Sequence, residues 1–395
     1  MLKKILVISP EFNEEFVLYQ PWRQIFELGT RMKRKGLDFT IGSNATNKTE
    51  IKELKILYLN QKELRVLTTD SINKILQLKP DVILWMGNPL SGIYLKKNFF
   101  KDIPIVLYIS TIHMTWKEIK NLTIKEIFQS NFINFLTSFP PFSNLVRNLN
   151  HNNISGIITV NQTIKNRLIN LGVMENKIKV TPLCFESDFD PKSIQHTSLS
   201  TNTFNICYLG PIFSIRGVDL LLDIVALLKK SNFLIHLDFL LRTTTVKEDT
   251  LNLIEKCKSR GILDLVKIEA GILDSKFIFE TILNSDVVVL PTKFVWNEPP
   301  LAILETMFLG KPVITTNVCG LPELVEGRGI ILNPDKKLFH DEIILLANDR
   351  KKLNSIGEKG MEFVKSLPNW NYLADWFITT LEQFYQDFNK KSTHK

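Results

Sequence analysis

Asp286-Val287-Val288-Val289-Leu290, then Pro291-Thr292-Lys293-Phe294-Val295-Trp296-Asn297-Glu298-Pro299-Pro300, then Leu301-Ala302-Ile303-Leu304-Glu305-Thr306-Met307-Phe308-Leu309-Gly310-Lys311-Pro312-Val313-Ile314 is the stretch that decides the fold. It reads as strand, loop, helix, strand, the unit of a parallel α/β sheet. A loop leaving the carboxyl end of such a strand is where doubly wound folds bind ligands. Pro299-Pro300 suits the first turn of a helix, where a missing N–H costs nothing, and Asn297 or Glu298 can cap it. The free N–H groups of Leu301, Ala302 and Ile303 then face the loop as an anion site. Glu305 falls among Ala302, Ile303, Leu304, Met307 and Phe308, where an ionised carboxylate needs a partner. Ribose hydroxyls, which are paired donors, would satisfy it; so would a nearby cation or backbone N–H.

Outward from this stretch the same alternation continues. In the first half, apolar runs at Ile5–Ser9, Leu37–Gly42, Asp81–Met86, Ile103–Ser110 and Gly156–Val160 read as strands. The pattern Trp22–Lys35 reads as a helix with Trp22, Ile25, Phe26 and Gly29 on one face. Its closing cations Arg31, Lys33, Arg34 and Lys35 complement the helix dipole before Gly36. In the second half Asn205–Leu209, Ile235–Leu241, Leu265–Glu269 and Asp286–Leu290 read as strands, with helices at Val218–Lys229 and Lys247–Arg260. Between the halves, Ser187–Asn202 loses its apolar rhythm. The expected layout is therefore a Rossmann-like domain over 1–190, a linker over 191–202, a second Rossmann-like domain over 203–368, and an aromatic-rich helix over 369–395 packing back on the first domain. One segment, His113 to Gly156, fits the sheet pattern poorly. Its apolar residues, among them Ile127, Phe128, Phe132, Ile133, Phe135, Leu136 and Phe139, suit an acyl chain or a membrane face, though packing under a lid is the plainer reading.

Bulk composition agrees with this layout. A chain of 395 residues exceeds one ordinary core, and 44% apolar with 23% charged residues is a globular balance. The longest apolar runs fall far short of the ~20 residues needed to cross a bilayer, so no membrane-spanning helix is expected. The basic start Met1-Leu2-Lys3-Lys4 precedes too short an apolar run for a secretory signal and reads as a first strand. Cys184, Cys207, Cys257 and Cys319 lack paired spacing, which argues against a zinc site and suits the reducing cytoplasm. The charge of +8 comes from 49 basic residues against 41 acidic ones, with no long basic block. Nucleic acid is not an expected partner. The basic excess suits peripheral contact with an anionic membrane, although a solvated lysine-rich surface is the plainer reading.

The stretch Asn297 to Val313, followed by Thr315-Thr316-Asn317-Val318-Cys319-Gly320-Leu321-Pro322-Glu323, resembles the retaining glycosyltransferases of family four, also called glycosyl transferases group one. The blocks Thr159-Val160-Asn161 to Leu171-Gly172-Val173, Lys177-Ile178-Lys179-Val180-Thr181-Pro182 and Asp188-Phe189-Asp190-Pro191 are similar to that family's passage between domains. The resemblance implies a GT-B fold, two Rossmann-like domains facing across a cleft, with an acceptor side and a nucleotide-sugar donor side. Residues Pro291 to Glu323 then form the pocket for a nucleotide-diphosphate sugar. It also implies donor substrate rather than cofactor, no obligatory metal, and a glycan or lipid acceptor.

The family places two glutamates with seven residues between them, the first at the donor sugar and the second at the ribose. Glu305 matches the second. Six residues separate it from Glu298, so strict spacing puts Asn297 first and leaves Asn297 and Glu298 as alternatives. Two cations hold the family's pyrophosphate at the start of the second domain. In Tyr208-Leu209-Gly210-Pro211-Ile212-Phe213-Ser214-Ile215-Arg216-Gly217-Val218, Arg216 matches the second, while Pro211 stands at the first. Arg242 or Lys293 is a candidate substitute. Gly210, Pro300, Leu301 and Ala302 complete the expected donor side, and His113, after Ile109-Ser110-Thr111-Ile112, matches a histidine that touches the donor sugar. The family's glycine pair after the first strand is absent from Ser9-Pro10-Glu11-Phe12-Asn13. Rival readings are a nucleotide-sugar epimerase, a catalytically silent nucleotide-sugar-binding protein, and a nicotinamide dehydrogenase. The last is disfavoured because no Gly-x-Gly-x-x-Gly follows a strand.

Overall fold

A computed structural model describes residues 2–15, 17, 20–45, 48–59, 68–96, 100, 102–111, 113–129, 132–191, 203–295 and 298–393. The first sheet comprises β1 (Lys4–Ile8), β2 (Asp38–Ser43), β3 (Glu50–Ile51), β4 (Leu54–Tyr58), β5 (Val82–Gly87), β6 (Ile105–Ile109), β7 (Ile154–Thr159) and β8 (Ile178–Val180). Its order is β3-β4-β2-β1-β5-β6-β7-β8, parallel apart from the β3–β4 pair. Its helices are α1 (Trp22–Arg34), α2 (Thr69–Leu78), α3 (Gly92–Leu95), α4 (Trp116–Lys120), α5 (Ile124–Gln129), α6 (Phe132–Leu136), α7 (Phe142–Leu145) and α8 (Gln162–Asn170). The second sheet comprises β9 (Phe204–Gly210), β10 (Ile235–Arg242), β11 (Val266–Gly271), β12 (Val287–Leu290), β13 (Val313–Thr316) and β14 (Ile330–Leu332), ordered β11-β10-β9-β12-β13-β14 and parallel throughout. Around it lie α9 (Val218–Lys230), α10 (Val246–Ser259), α11 (Ser275–Leu283), α12 (Leu301–Phe308), α13 (Leu321–Val325), α14 (Lys336–Asn348) and α15 (Arg350–Ser366), and the chain ends in α16 (Trp370–Thr393).

Each sheet has its own core. Strands β1, β5, β6 and β7 are apolar on both faces and almost wholly buried, as a parallel sheet covered on two sides requires. The second core gathers β9, β10, β12 and β13 with α9 and α12. In both sheets the order reverses beside the first strand, β1 against β5 and β9 against β12, which opens a crevice at the carboxyl ends. Positive-φ Gly217 sits beneath the second crevice, where a Cβ would overlap the Pro291 carbonyl. Only glycine lets the turn after β9 approach the strand end of β12 this closely.

Two helix readings need correction. On α1 the buried stripe is Gln24, Ile25, Leu28, Gly29 and Met32, so Trp22 and Phe26 lie at its margin rather than at its centre. Before α12, Pro300 is the N-cap and among the described residues no side chain caps the helix, the Glu298 carboxylate being drawn elsewhere; Asn297, the other expected cap, lies outside them. The expected linker falls on residues that, from 192 to 202, lie outside the described ones.

Helix α16 does pack on the first domain. Trp370, Leu373, Ala374, Phe377, Leu381 and Phe384 recur at helical spacing and belong to the first sheet's core. The Phe384 ring lies so close over Gly156 of β7 that any side chain there would displace it. Phe377 packs on Tyr108 of β6, ring centroids 6.1 Å apart. Truncating so large a wholly buried ring leaves a cavity, so Phe377→Ala is expected to destabilise the fold by about 3–5 kcal/mol. Urea denaturation followed by circular dichroism checks this, and an unchanged midpoint would show that α16 is not part of the first core.

Candidate functional site

A cavity of about 500 Å³ opens at the carboxyl ends of β9, β10 and β12, at the point where the second sheet's order reverses. Tyr208, Gly210, Pro211 and Phe213 line it from the end of β9, Arg216 from the 3-10 turn Ser214–Arg216, and Arg242 to Thr245 from the end of β10. Pro299, Pro300, Leu301, Ala302 and Ile303 supply the start of α12, and Gln20 and Trp22 reach in from the first domain. The Trp22 indole is held by donating to the Pro10 carbonyl at 2.7 Å. Arg216, Gly210, Pro300, Leu301 and Ala302, all named in the sequence, thus stand around one cavity. The contributions of Gln20, Trp22, Thr243 to Thr245 and Asp249 had no sequence signal.

Arg216 and Arg242 differ sharply in their bonding. The Arg216 guanidinium has no hydrogen bond or ion pair with any described residue, so its fork of donors faces the cavity uncommitted. Arg242 Nη2 donates to both oxygens of Glu305, each at 3.1 Å. Glu305 is buried on α12 and does not line the cavity itself; Arg242 stands between. A single forked donor leaves lone pairs open on both of its oxygens. Lys293, the other candidate cation, is absent from the cavity wall and donates to Glu126 at 2.8 Å across the domain boundary. Asn297 lies outside the described residues.

Beside the cavity the two domains are joined by carboxylates. Thr115 and Glu118 form a capping box at the start of α4, and the same Glu118 carboxylate accepts Arg167 Nη2 at 2.8 Å, Arg167 Nη1 at 3.1 Å and the Cys319 N–H at 2.7 Å. Burial raises the Glu118 carboxyl, but Arg167 and these N–H groups outweigh it and hold the group below the usual carboxylate range. The next N–H, that of Gly320, donates to Glu298 Oε1 at 2.7 Å. Cys319 adopts a left-handed φ of 51°, which turns these two successive N–H groups outward as a small anion nest. Glu298 Oε2 meets the amide of Asn161. The Glu298 N–H donates to the Ser110 carbonyl, just past the end of β6, at 3.2 Å.

Asn161 keeps its NH₂ toward Glu298 because its Oδ1 accepts the Ile164 N–H at 2.8 Å as the N-cap of α8. Glu323, from α13, reaches the same helix end and accepts the Gln162 and Thr163 N–H groups, both at 2.9 Å. The N–H groups of Gln162, Thr163 and Ile164, which have no partner within α8, are thereby satisfied, the first two by the opposite domain.

This network defines the surroundings of two sequence candidates. Glu298 is stitched between the domains and is not part of the cavity wall. Burial raises its carboxyl from 4.5 to about 7, against the pull of Gly320, Arg167 and Asn161. His113 gives its carbonyl to Arg167 Nη1 at 3.0 Å, while its ring Nδ1 is buried without a partner among the described residues. Burial first, and Arg167 second, lower the imidazole to about 4, so the ring is neutral at neutral pH. Glu118, Arg167 and Asn161 were missed in the sequence. The Thr115-x-x-Glu118 capping pattern was readable there, but not its partners at long range. Among the described residues no three His, Cys, Asp or Glu side chains gather as a metal site.

Comparison with known proteins places this geometry in context. Residues 203–349 match the family model described as glycosyl transferases group 1. A curated relative, an uncharacterized 41.2 kDa protein of the cps region of Klebsiella pneumoniae, is 22% identical over 172 residues, which is 42% of this chain and 44% of the relative. The match thus spans under half of that relative's length. Among solved structures, sucrose-phosphate synthase of Thermosynechococcus elongatus superposes with a TM-score of 0.71 at 14% identity, covering 98% of this chain and 100% of that one. HepE of Anabaena, solved with UDP-glucose, gives 0.69 at 16%, covering 96% and 99%. A glycosyltransferase of Rickettsia africae gives 0.68 at 14%, covering 97% and 98%. At these identities the likeness carries the fold.

The raised Glu298 carboxyl generates a prediction. Its folded pKa lies above its unfolded one, so its contribution to stability is full below about 4.5 and is lost as pH rises through about 7. Relative to Glu298→Gln, the parent is expected to lose on the order of 1–3 kcal/mol between pH 5 and pH 8. Urea midpoints of both proteins at the two pH values test this; a constant difference would show that Glu298 ionises normally.

Proposed function

We propose that this chain, which has the GT-B fold and whose residues 203–349 match the model of glycosyl transferases group 1, moves a sugar from a nucleoside-diphosphate donor to an acceptor hydroxyl with retention at the anomeric carbon. The observation that carries the reading is the uncommitted Arg216 in the cavity at the second sheet's reversal point, beside the start of α12. A diphosphate there meets a guanidinium fork and the Leu301 and Ala302 N–H groups, the charge pattern a departing diphosphate needs. Gly210 allows close approach of the backbone. Glu305, with its open lone pairs, accepts the ribose hydroxyls once Arg242, which stands between it and the cavity, moves aside.

In the reaction the bond from the anomeric carbon to the diphosphate oxygen breaks, and its electron pair leaves with the phosphate. The acceptor oxygen attacks from the same face and its proton passes to the departing phosphate oxygen. No carboxylate nucleophile is required by this path. The neutral His113 ring, with a buried Nδ1 that has no partner among the described residues, lies outside the cavity wall and meets a sugar hydroxyl only if the cleft rearranges, and the sugar-facing position falls to Glu298 or Asn297. The complex of HepE with UDP-glucose makes a uridine donor and a hexosyl group the first to test. The acceptor is a glycan, a lipid or a small molecule. Four free, buried cysteines suit a reducing, cytoplasmic setting. The layout proposed is residues 1–190 on the acceptor side, a linker over 191–202, the donor domain over 203–368 and a crossing helix from 369.

A second reading, a catalytically silent nucleotide-sugar-binding protein, is favoured by one feature. Glu298 already has two donors, and Pro211 stands where a second cation is expected, so binding without turnover is consistent with both.

A thermal-shift panel of nucleotide sugars, followed by product analysis by NMR, tests the proposal. Stabilisation by a UDP-sugar and a product of retained configuration are the expected results; stabilisation without turnover supports the silent reading, and inversion removes the retaining one. Arg216→Ala is expected to lower kcat/KM by roughly 10²–10³ while leaving Tm nearly unchanged, since the Arg216 side chain bonds to no described residue. Parent-like kinetics in that variant would remove Arg216 from the diphosphate site.

A further inference from the structure

The segment His113 to Gly156 folds into short helices whose charges sort by face. On α4 and α5 the acidic residues point inward: Glu118 to Arg167 and Cys319, Glu126 to Lys293. Lys117, Lys120 and Lys125 point outward, are exposed, and have no ion pair with a described residue. Beside them Trp116 is 64% exposed, Ile124 76%, Phe128 68% and Phe132 40%. These apolar groups form one patch, because stacked and edge-on rings run without a break from Phe128 through Phe132, Phe135 and Phe139 to Trp116. A monomer rarely leaves so many large side chains in contact with water without a use for them.

We propose that this face docks on an anionic lipid bilayer. Trp116, Ile124, Phe128 and Phe132 enter the headgroup region, and Lys117, Lys120 and Lys125 meet the lipid phosphates. Charge decides the occupant: three cations with no outward carboxylate on α4 or α5 complement an anionic surface, and the ring chain supplies the apolar half of an interfacial anchor. The face also borders the cavity. Helix α5 packs on the 3-10 turn that carries Arg216, and half-exposed Phe213 lines the cavity just before that turn. An acceptor held in the bilayer would therefore meet the cavity from this side. That last step rests on the glycosyltransferase reading; the docking itself does not.

Co-sedimentation of the full chain with vesicles tests the docking without reference to turnover. Vesicles of phosphatidylcholine and phosphatidylglycerol in equal parts are compared with pure phosphatidylcholine. The parent is expected to partition at least about tenfold more strongly onto the mixed vesicles. Ile124→Ser with Phe128→Ser, and separately Lys117→Glu with Lys120→Glu and Lys125→Glu, should each lose about tenfold or more. Lys351→Glu with Lys359→Glu, on exposed positions of α15, should bind like the parent. All substituted residues are exposed, and unchanged melting curves verify folding. A parent that stays in solution overturns the proposal, as do patch variants that bind like the parent, or α15 variants that lose as much as the patch variants. A parent dimer dispersed by Ile124→Ser with Phe128→Ser, without vesicle binding, overturns it in favour of contact between copies.

Discussion

The Glu118 carboxylate accepts the Thr115 N–H and hydroxyl, two guanidinium donors from Arg167 and the Cys319 N–H of the opposite domain. Saturation of this kind is what makes a buried carboxylate tolerable, and taking away one partner of such a pair costs about 3–5 kcal/mol because the other is left buried and charged. The cross-domain bond is to a backbone N–H, so it does not depend on which side chain stands at 319. The contacts between the two domains beside the cavity are built around this point. Arg167 fixes the His113 carbonyl, Cys319 fixes the turn into Gly320, and Gly320 fixes Glu298.

The cavity therefore has two kinds of wall. Its floor is rigid, made of strand ends of one sheet and the start of α12, positions held by the second domain's buried core. Its roof, Gln20 and Trp22, belongs to the other domain, where the Trp22 indole is held by the Pro10 carbonyl. On the proposed reading, binding energy from a donor holds both walls together, which is how a two-domain enzyme keeps water from a reacting centre.

Much of the floor was legible in the sequence because it is local. Periodicity placed β9, β10, β12 and α12 within a residue or two, and Pro300, Leu301 and Ala302 followed from the expected start of α12, whereas Gly210 and Arg216 came from the family resemblance. Charge pairing was not legible. Arg242 and Glu305 are 63 positions apart, Lys293 and Glu126 167, and Cys319 and Glu118 201. No spacing rule connects residues at such separations; only the packing of whole elements does. Hence both spare cations named from the sequence had carboxylate partners that the sequence could not announce.

Glu298 shows the same limit at its sharpest. Its neighbours Pro299 and Pro300 argue for a helix start and so for a cap, yet the carboxylate turns to Gly320 and Asn161 because two donors in a buried place outweigh one at the rim of the cavity. The loop that bears the expected sugar-facing position is thus also a loop that ties the domains together. Moving Glu298 toward a sugar would strip Gly320 and Asn161 of an acceptor, so sugar contact at this position and domain contact at the nest draw on the same carboxylate. A substrate hydroxyl must then replace what the carboxylate gives up, and the position becomes sensitive to whether the cleft holds a sugar at all.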